Sequence, residues 1–273
     1  MEIKYIHETA VHNIKAPSII VPKLIDMFSP QSVVDFGCGI GTFLNIFIRE
    51  GVTDVLGLDG PWVNKDLLKE NLPENKFKAV NLENHVSIDK KYDLAISLEV
   101  AEHLDESKAS VMVDNLVQAS DLIVFSAAIP FQGGQNHINE QWPTYWVDLF
   151  SQYGYKTLDI LRPLFWNDSD VFFWYKQNVF VAVKKGSRSD AVASNICLSN
   201  STGINSIVHP DLYLLKVESL NATKVTLAQR EKEISDLLEG RRGWKLYYGI
   251  LKKYILRKFK IHFSPNVVQG YKQ

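Results

Sequence analysis

Between residues 30 and 185, short apolar runs alternate with segments whose apolar residues return every three or four positions. The runs at 32–36, 54–59, 77–80, 94–98, 122–126 and 179–183 are dense in Val, Ile, Leu and Phe, which predicts strands covered on both faces. The segments 102–119 and 142–153 carry the helical period. Strands and helices that alternate in this way connect by right-handed crossovers. The expected fold class is therefore α/β, a doubly wound and mostly parallel sheet of about seven strands over residues 1–185. The aromatic run 172–178 reads as a bend, and the strand after it as part of an antiparallel hairpin closing the sheet's edge.

Beyond residue 185 the pattern changes. Residues 186–210 are rich in Ser and Asn and lack aromatics, which reads as a linker. Residues 211–240 predict a polar helix, with Leu220, Leu227 and Ile234 spaced seven apart. That spacing fits either a short coiled coil or a solvated helix. Residues 241–273 hold nine Lys or Arg and no acid, while the other 240 residues hold 21 basic against 31 acidic side chains. An acidic body with a basic tail implies two separate tasks. In the tail, Tyr247, Ile250, Leu251 and Tyr254 share a helical stripe, and Arg241, Lys245, Lys252, Lys253, Arg257 and Lys260 lie mostly elsewhere. Such a helix over 241–260 suits an anionic membrane surface or an acidic protein. A homo-oligomer formed through the C-terminal helix, or docking on the acidic body, uses the same pattern. Nucleic acid is disfavoured, because no strand presents base-stacking aromatics.

Composition narrows the setting. No run of eighteen apolar residues occurs, and residues 1–15 lack the apolar core of a signal peptide. Two cysteines, Cys38 and Cys197, argue against a disulfide framework and for a reducing compartment. The expected location is cytoplasmic, with the tail reaching the inner face of the membrane.

The candidate chemistry begins at "VVDFGCGIGTF", a strand followed by Gly37, Gly39 and Gly41 at alternate positions and then a helix. Backbone without Cβ lies close against a ligand, and the helix start offers free N–H groups. A pyrophosphate-binding loop has its third glycine one position later, where this chain has Thr42. The loop thus suits a nucleoside whose tail is not a pyrophosphate. Asp59 ends the next strand, followed by Gly60, and a carboxylate there accepts ribose hydroxyls or else caps a helix.

Together these features resemble the class I S-adenosylmethionine-dependent methyltransferases. Asp35 and the three glycines fill that family's Glu/Asp-x-Gly-x-Gly-x-Gly hallmark. "KKYDLAISLEVAEHL" is similar to the fourth strand and following loop of the small-molecule branch called type 11 or type 12. The resemblance implies S-adenosylmethionine as cofactor, with Leu98, Glu99 and His103 near the methyl donor. It also implies that Asn81, with Leu82, meets the adenine, although many relatives carry Asp at the first position. Cys38, between the glycines, lies in the cofactor loop and reads as packing.

A second constellation, "FSAAIPFQGGQNHINEQWPTYWVDLF", follows the fifth strand. Ligands in open α/β sheets sit beyond the carboxyl ends of the strands, where this segment leaves. Gln132, Gln135, Asn139 and Trp142 are the candidate substrate contacts. The run is similar to one in methyltransferases of bacterial surface-polysaccharide gene clusters, which implies a saccharide hydroxyl as the acceptor. A hydroxyl is a poor nucleophile and benefits from a base. His137 is the first candidate, His103 the second, and Glu140 orients a histidine or accepts a sugar hydroxyl. No metal is expected, because this segment holds no carboxylate cluster. Tyr145, Trp146, Trp174, Tyr175 and Gln177 read as core. The competing functions are a nicotinamide-dependent oxidoreductase, which Thr42 disfavours, and a non-catalytic methyltransferase-like scaffold.

Overall fold

A computed structural model describes residues 12–196, 206–241 and 243–258. The described chain falls into two compact units that part after Leu212.

The first unit is built on seven strands: β1 (Ser32–Phe36), β2 (Asp54–Asp59), β3 (Phe77–Ala79), β4 (Leu94–Leu98), β5 (Leu122–Ser126), β6 (Tyr155–Leu158) and β7 (Phe180–Lys184). Their order in the sheet is β3-β2-β1-β4-β5-β7-β6. All neighbouring pairs are parallel except those of β7, which runs antiparallel to both β5 and β6. The chain thus leaves β1 toward one edge and β4 toward the other, so a crevice opens at the carboxyl ends of these two adjacent strands.

Helices cover both faces. α1 (Lys15–Phe28), α2 (Thr42–Arg49), α3 (Lys65–Asn71), a short α6 (Arg162–Phe165) and α8 (Arg188–Ile196) share one apolar layer with Val33, Leu94, Ile96, Val124 and Val181. α4 (Ala109–Ala119) and α5 (Pro143–Gln152) share the other with Val34, Ala95, Ile123, Phe125 and Phe180. Odd and even positions of each strand therefore serve opposite layers, which is why the strands read as continuous apolar runs.

Several expectations need correction. The helix expected at 102–119 starts only at Ala109. Two 3-10 turns, Ala101–His103 and Glu106–Lys108, precede it, separated by extended Leu104 and by Asp105, whose carboxylate caps the second turn at Ser107 N, 2.9 Å. The aromatic bend is a helical turn, α7 (Phe173–Asn178). The antiparallel hairpin expected at the edge is present as the β6–β7 pair, with β6 outermost. No helix is predicted before residue 30, yet α1 forms across Pro17 and Pro22, with Ile20, Val21 and Leu24 wholly buried. The segment expected as a linker contains α8, whose Ala193 is wholly buried against the first layer. His209 is also buried, with its N–H donating to Gln177 Oε1 at 2.8 Å.

In the second unit, the polar helix appears as α9 (Pro210–Leu238), which begins in the first unit. Leu220, Leu227 and Ile234 each remain more than half exposed. The tail helix is α10 (Trp244–Lys258). Cys197 and the tail from 259 onward lie outside the described residues. No helix among the described residues is long and apolar enough to cross a membrane.

Candidate active site

The crevice between the ends of β1 and β4 holds a cavity of about 810 Å³. One wall is the glycine loop. Gly37 stands at φ +90°, where a Cβ would meet Val100 Cγ2 at 2.3 Å, so no side chain fits there. Gly37 N and Cys38 N both donate to Leu58 O, at 2.7 and 3.1 Å, tying the loop to β2. Cys38 is buried with a free thiol that burial pushes up, and Gly41, at φ +81°, is the N-cap of α2. Cys38 and Gly39 line the cavity and Gly41 supports them from behind.

Asp59 completes that wall. Its carboxylate accepts from Gly39 N at 2.7 Å and Gly60 N at 2.6 Å. It thereby joins the ends of β1 and β2, and each oxygen keeps a lone pair for a ligand. Burial raises its pKa, and the two N–H groups partly offset this. Asp35, at the end of β1, is raised well above the usual carboxylate range by burial first and by Asp59 second. Two buried carboxyls on one wall favour a ligand that brings positive charge. Gly60 packs flat on the Trp62 indole, since a Cβ there would lie 2.1 Å from its ring. Asn81 and Leu82 line the same end of the cavity.

The opposite wall comes from the loops after β4 and β5. Leu98 and Glu99 line it at the end of β4. Glu99 adopts φ +56°, a left-handed conformation rare for a residue with a side chain, and its N–H is held by Ser126 O at 3.0 Å and Oγ at 3.1 Å. Phe131 and Asn136 of the facing loop also have positive φ. Strain of this kind persists only where surrounding contacts enforce it. The Glu99 carboxyl accepts from Asn178 Nδ2 at 3.0 Å and Gln132 Nε2 at 2.9 Å. Burial raises its pKa against those donors.

Gln132, an expected substrate contact, lines the cavity, with its amide oxygen accepting from Asn178 Nδ2 at 2.9 Å and Gln177 Nε2 at 3.2 Å. It positions Glu99. Asn139 is buried away from the cavity, and its backbone N–H donates to Glu102 O at 3.0 Å. Trp142 precedes α5 as its N-cap, two-fifths exposed, and lies outside the cavity. Gln135 and His137 do line it. Glu140 does not, and acts on the loop instead. Its carboxylate accepts from Phe131 N and Gly133 N, both at 2.7 Å, and pairs with His137 Nδ1 at 2.9 Å. Gly134 gives that imidazole room, since a Cβ there would stand 2.2 Å from His137 Nε2.

His103 meets His137 edge to face, with ring centroids 4.9 Å apart. Burial, then the neighbouring His137, lower its pKa to about 4, so its imidazole is neutral at pH 7. Glu102 was not anticipated. It is wholly buried, its side chain lines the cavity, and neither carboxylate oxygen has a hydrogen-bond partner among the described residues. Burial first, and Glu99 second, hold its pKa well up. Its signal in the sequence was the three-residue spacing from Glu99, which one turn brings to the same side. Trp174 and Tyr175, read as core, line the cavity, with Trp174 stacked on Phe172 at 4.3 Å and Tyr175 edge-on to Phe43 at 5.7 Å. Tyr145 and Trp146 belong to the core side of α5, Trp146 being wholly buried.

Comparison with known proteins bears on this arrangement. Residues 12–116 match the family model of a methyltransferase domain. No curated protein sequence matches the chain. Among solved structures, the methyltransferase domain of bacterial CtHen1-C is 21% identical over 63% of this chain and 99% of its own, with a TM-score of 0.47. DesVI of Streptomyces venezuelae is 12% identical over 66% of this chain and 100% of its own, with a TM-score of 0.49. Human N-acetylserotonin methyltransferase, solved with S-adenosylmethionine, is 14% identical over 64% of this chain and 52% of its own, with a TM-score of 0.45. The family match spans the glycine loop, Asp59, Glu99 and His103, so residues 12–116 are similar to a methyltransferase domain.

Proposed function

We propose that this methyltransferase acts on a hydroxyl of a saccharide, free, lipid-linked or nucleotide-bound. One observation carries the reading. The wall facing the glycine loop is lined by polar groups able to engage an oxygen acceptor, Glu102, His103, Gln135 and His137, and the aromatic pair Trp174 and Tyr175 lines the same cavity. Polar donors and acceptors beside an aromatic platform suit a hydroxylated ring. The opposing carboxyls of Asp35 and Asp59 suit the cofactor's ammonium group and ribose hydroxyls respectively, and Asn81 its adenine.

The reaction is an in-line displacement, so alignment supplies much of the rate. The acceptor oxygen forms a bond to the methyl carbon as the carbon–sulfur bond breaks. The sulfonium becomes a thioether and the hydroxyl proton goes to a base. With Nδ1–H donated to Glu140, His137 offers Nε2 as that base.

The purified chain, given isotope-labelled cofactor and a panel of saccharides, phenols and carboxylates, is expected to label saccharides at oxygen. His137→Ala loses at least 100-fold in turnover while retaining affinity for S-adenosylhomocysteine. Label on phenols or carboxylates alone overturns the acceptor; full activity of the variant removes His137 as base.

The second unit supports a further part of the reading, attachment to an anionic membrane surface through α10. That helix exposes Trp244, Tyr248, Leu251 and Tyr254 beside Lys245, Lys252 and Lys253, with no acid among them. Aromatics at headgroup level with lysines on lipid phosphates give about 1 kcal/mol per cation. An acidic protein, or self-association through the exposed seam of α9, would engage without vesicles.

A further inference from the structure

We infer that Glu102, His103 and His137 form a binding site for a divalent first-row transition-metal ion. The three side chains come from two loops, one after β4 and one after β5. One donor atom from each lies within 4.8 Å of the other two. Neighbouring donors at bond lengths of about 2.1 Å stand roughly 3 Å apart. Drawing the three donors onto one ion therefore takes side-chain rotations of about an ångström each.

Two features distinguish this cluster from an ordinary polar patch. The first is Glu102. Its carboxyl is wholly buried beside that of Glu99 and neither oxygen makes a hydrogen bond of good geometry among the described residues, so its ionised form is costly and a cation relieves it. The second is the support around the imidazoles. Glu140 holds His137 through Nδ1 at 2.9 Å and is itself held by Phe131 N and Gly133 N. This carboxylate–histidine contact fixes the tautomer and leaves Nε2 to ligate. The Glu102 carbonyl accepts from both Ile138 N at 2.9 Å and Asn139 N at 3.0 Å, which pins the His137 loop to the peptide that carries Glu102. Glu99 flanks the site with its carboxyl already taken by Gln132 and Asn178.

The donor set selects the ion. Magnesium favours oxygen ligands, whereas two imidazoles and a carboxylate suit manganese, iron, cobalt or zinc. Three protein ligands leave coordination positions toward the cavity. If oxygen is methylated as proposed above, the acceptor hydroxyl binds there, the ion lowers its pKa, and His137 serves as a ligand in place of a base. The expectation of a metal-free site looked for carboxylates in the segment after the fifth strand; the carboxylate arrives from another loop.

The full-length chain, freed of metal by chelator, is titrated with Mn²⁺ by calorimetry. One ion per chain is expected. Glu102→Gln and His103→Ala each weaken it by more than tenfold, Glu140→Gln by about 10–100-fold, and His85→Ala, at the surface, leaves it unchanged. Variants that keep their affinity for S-adenosylhomocysteine are folded. On the wild-type chain, pulsed electron paramagnetic resonance of bound Mn²⁺ should show two imidazole nitrogens. Absence of binding, unchanged affinity in both ligand variants, or a spectrum without nitrogen coupling overturns the site. Chelator-resistant methylation by a chain that binds no metal leaves the metal-free reading, with His137 as base, in place. Metal binding without affinity for S-adenosylhomocysteine has the opposite meaning.

Discussion

Asp35 shows the conflict that a buried carboxyl proposed to meet the cofactor imposes on its own fold. Its pKa is higher in the folded chain than in the unfolded one, through burial and then Asp59. Folding therefore takes up a proton, and the ionised carboxyl opposes folding. That opposition is absent below the unfolded pKa, grows as pH rises from there to the folded one, and is constant above it. Asp35→Asn is expected to raise the melting temperature of the cofactor-free protein at pH 7, with a gain that shrinks on acidification. It should also weaken S-adenosylhomocysteine by more than tenfold, since the carboxylate facing the ligand's ammonium is gone. Calorimetry and thermal melts across pH read both effects. An unchanged affinity would remove Asp35 from the cofactor site.

At the scale of elements, the strands were legible where burial on both faces makes them continuous apolar runs. β1, β2, β4 and β5 begin and end where that pattern does. α1 was not, because Pro17 and Pro22 read as breakers, while its buried Ile20, Val21 and Leu24 supply packing that outweighs one lost backbone bond. β6 was missed because only Tyr155 of its four residues is buried, leaving a weak period at a sheet edge. α8 hid in a polar segment because it buries a single small residue. Ala193→Leu tests its place: overpacking there should cost about 1–3 kcal/mol by urea denaturation, whereas a linker position would tolerate it.

For the whole molecule, the division after Leu212 sets where the chain can be cut. A chain of residues 1–212 should melt as the full chain does and keep its cofactor affinity. One ending at 185 loses α8 and the His209 contacts to Gln177 and to the Trp166 carbonyl, and should melt several degrees lower. The full chain should sediment with vesicles rich in phosphatidylserine, less so at high salt, and residues 1–212 should not. Equal sedimentation of the two would exclude the tail as the attachment, and none by either would exclude the membrane.

Local chemistry was enough to announce the wall proposed for the cofactor. A glycine loop between a strand and a helix, with an acid one strand away, is encoded within about thirty residues by backbone conformation and spacing alone. The charge asymmetry and the tail's amphipathic stripe were equally local. The facing wall was not local. Glu102 gains its meaning only because β5 lies beside β4, which sets His137 against a loop 34 residues earlier in the chain and shuts the carboxylate away from water. Gln132 likewise gained a second task, support for Glu99, once α7 brought Asn178 and Gln177 beside it. Spacing along a chain specifies elements and nearby motifs; burial and pairing across distant loops arise only when the sheet assembles.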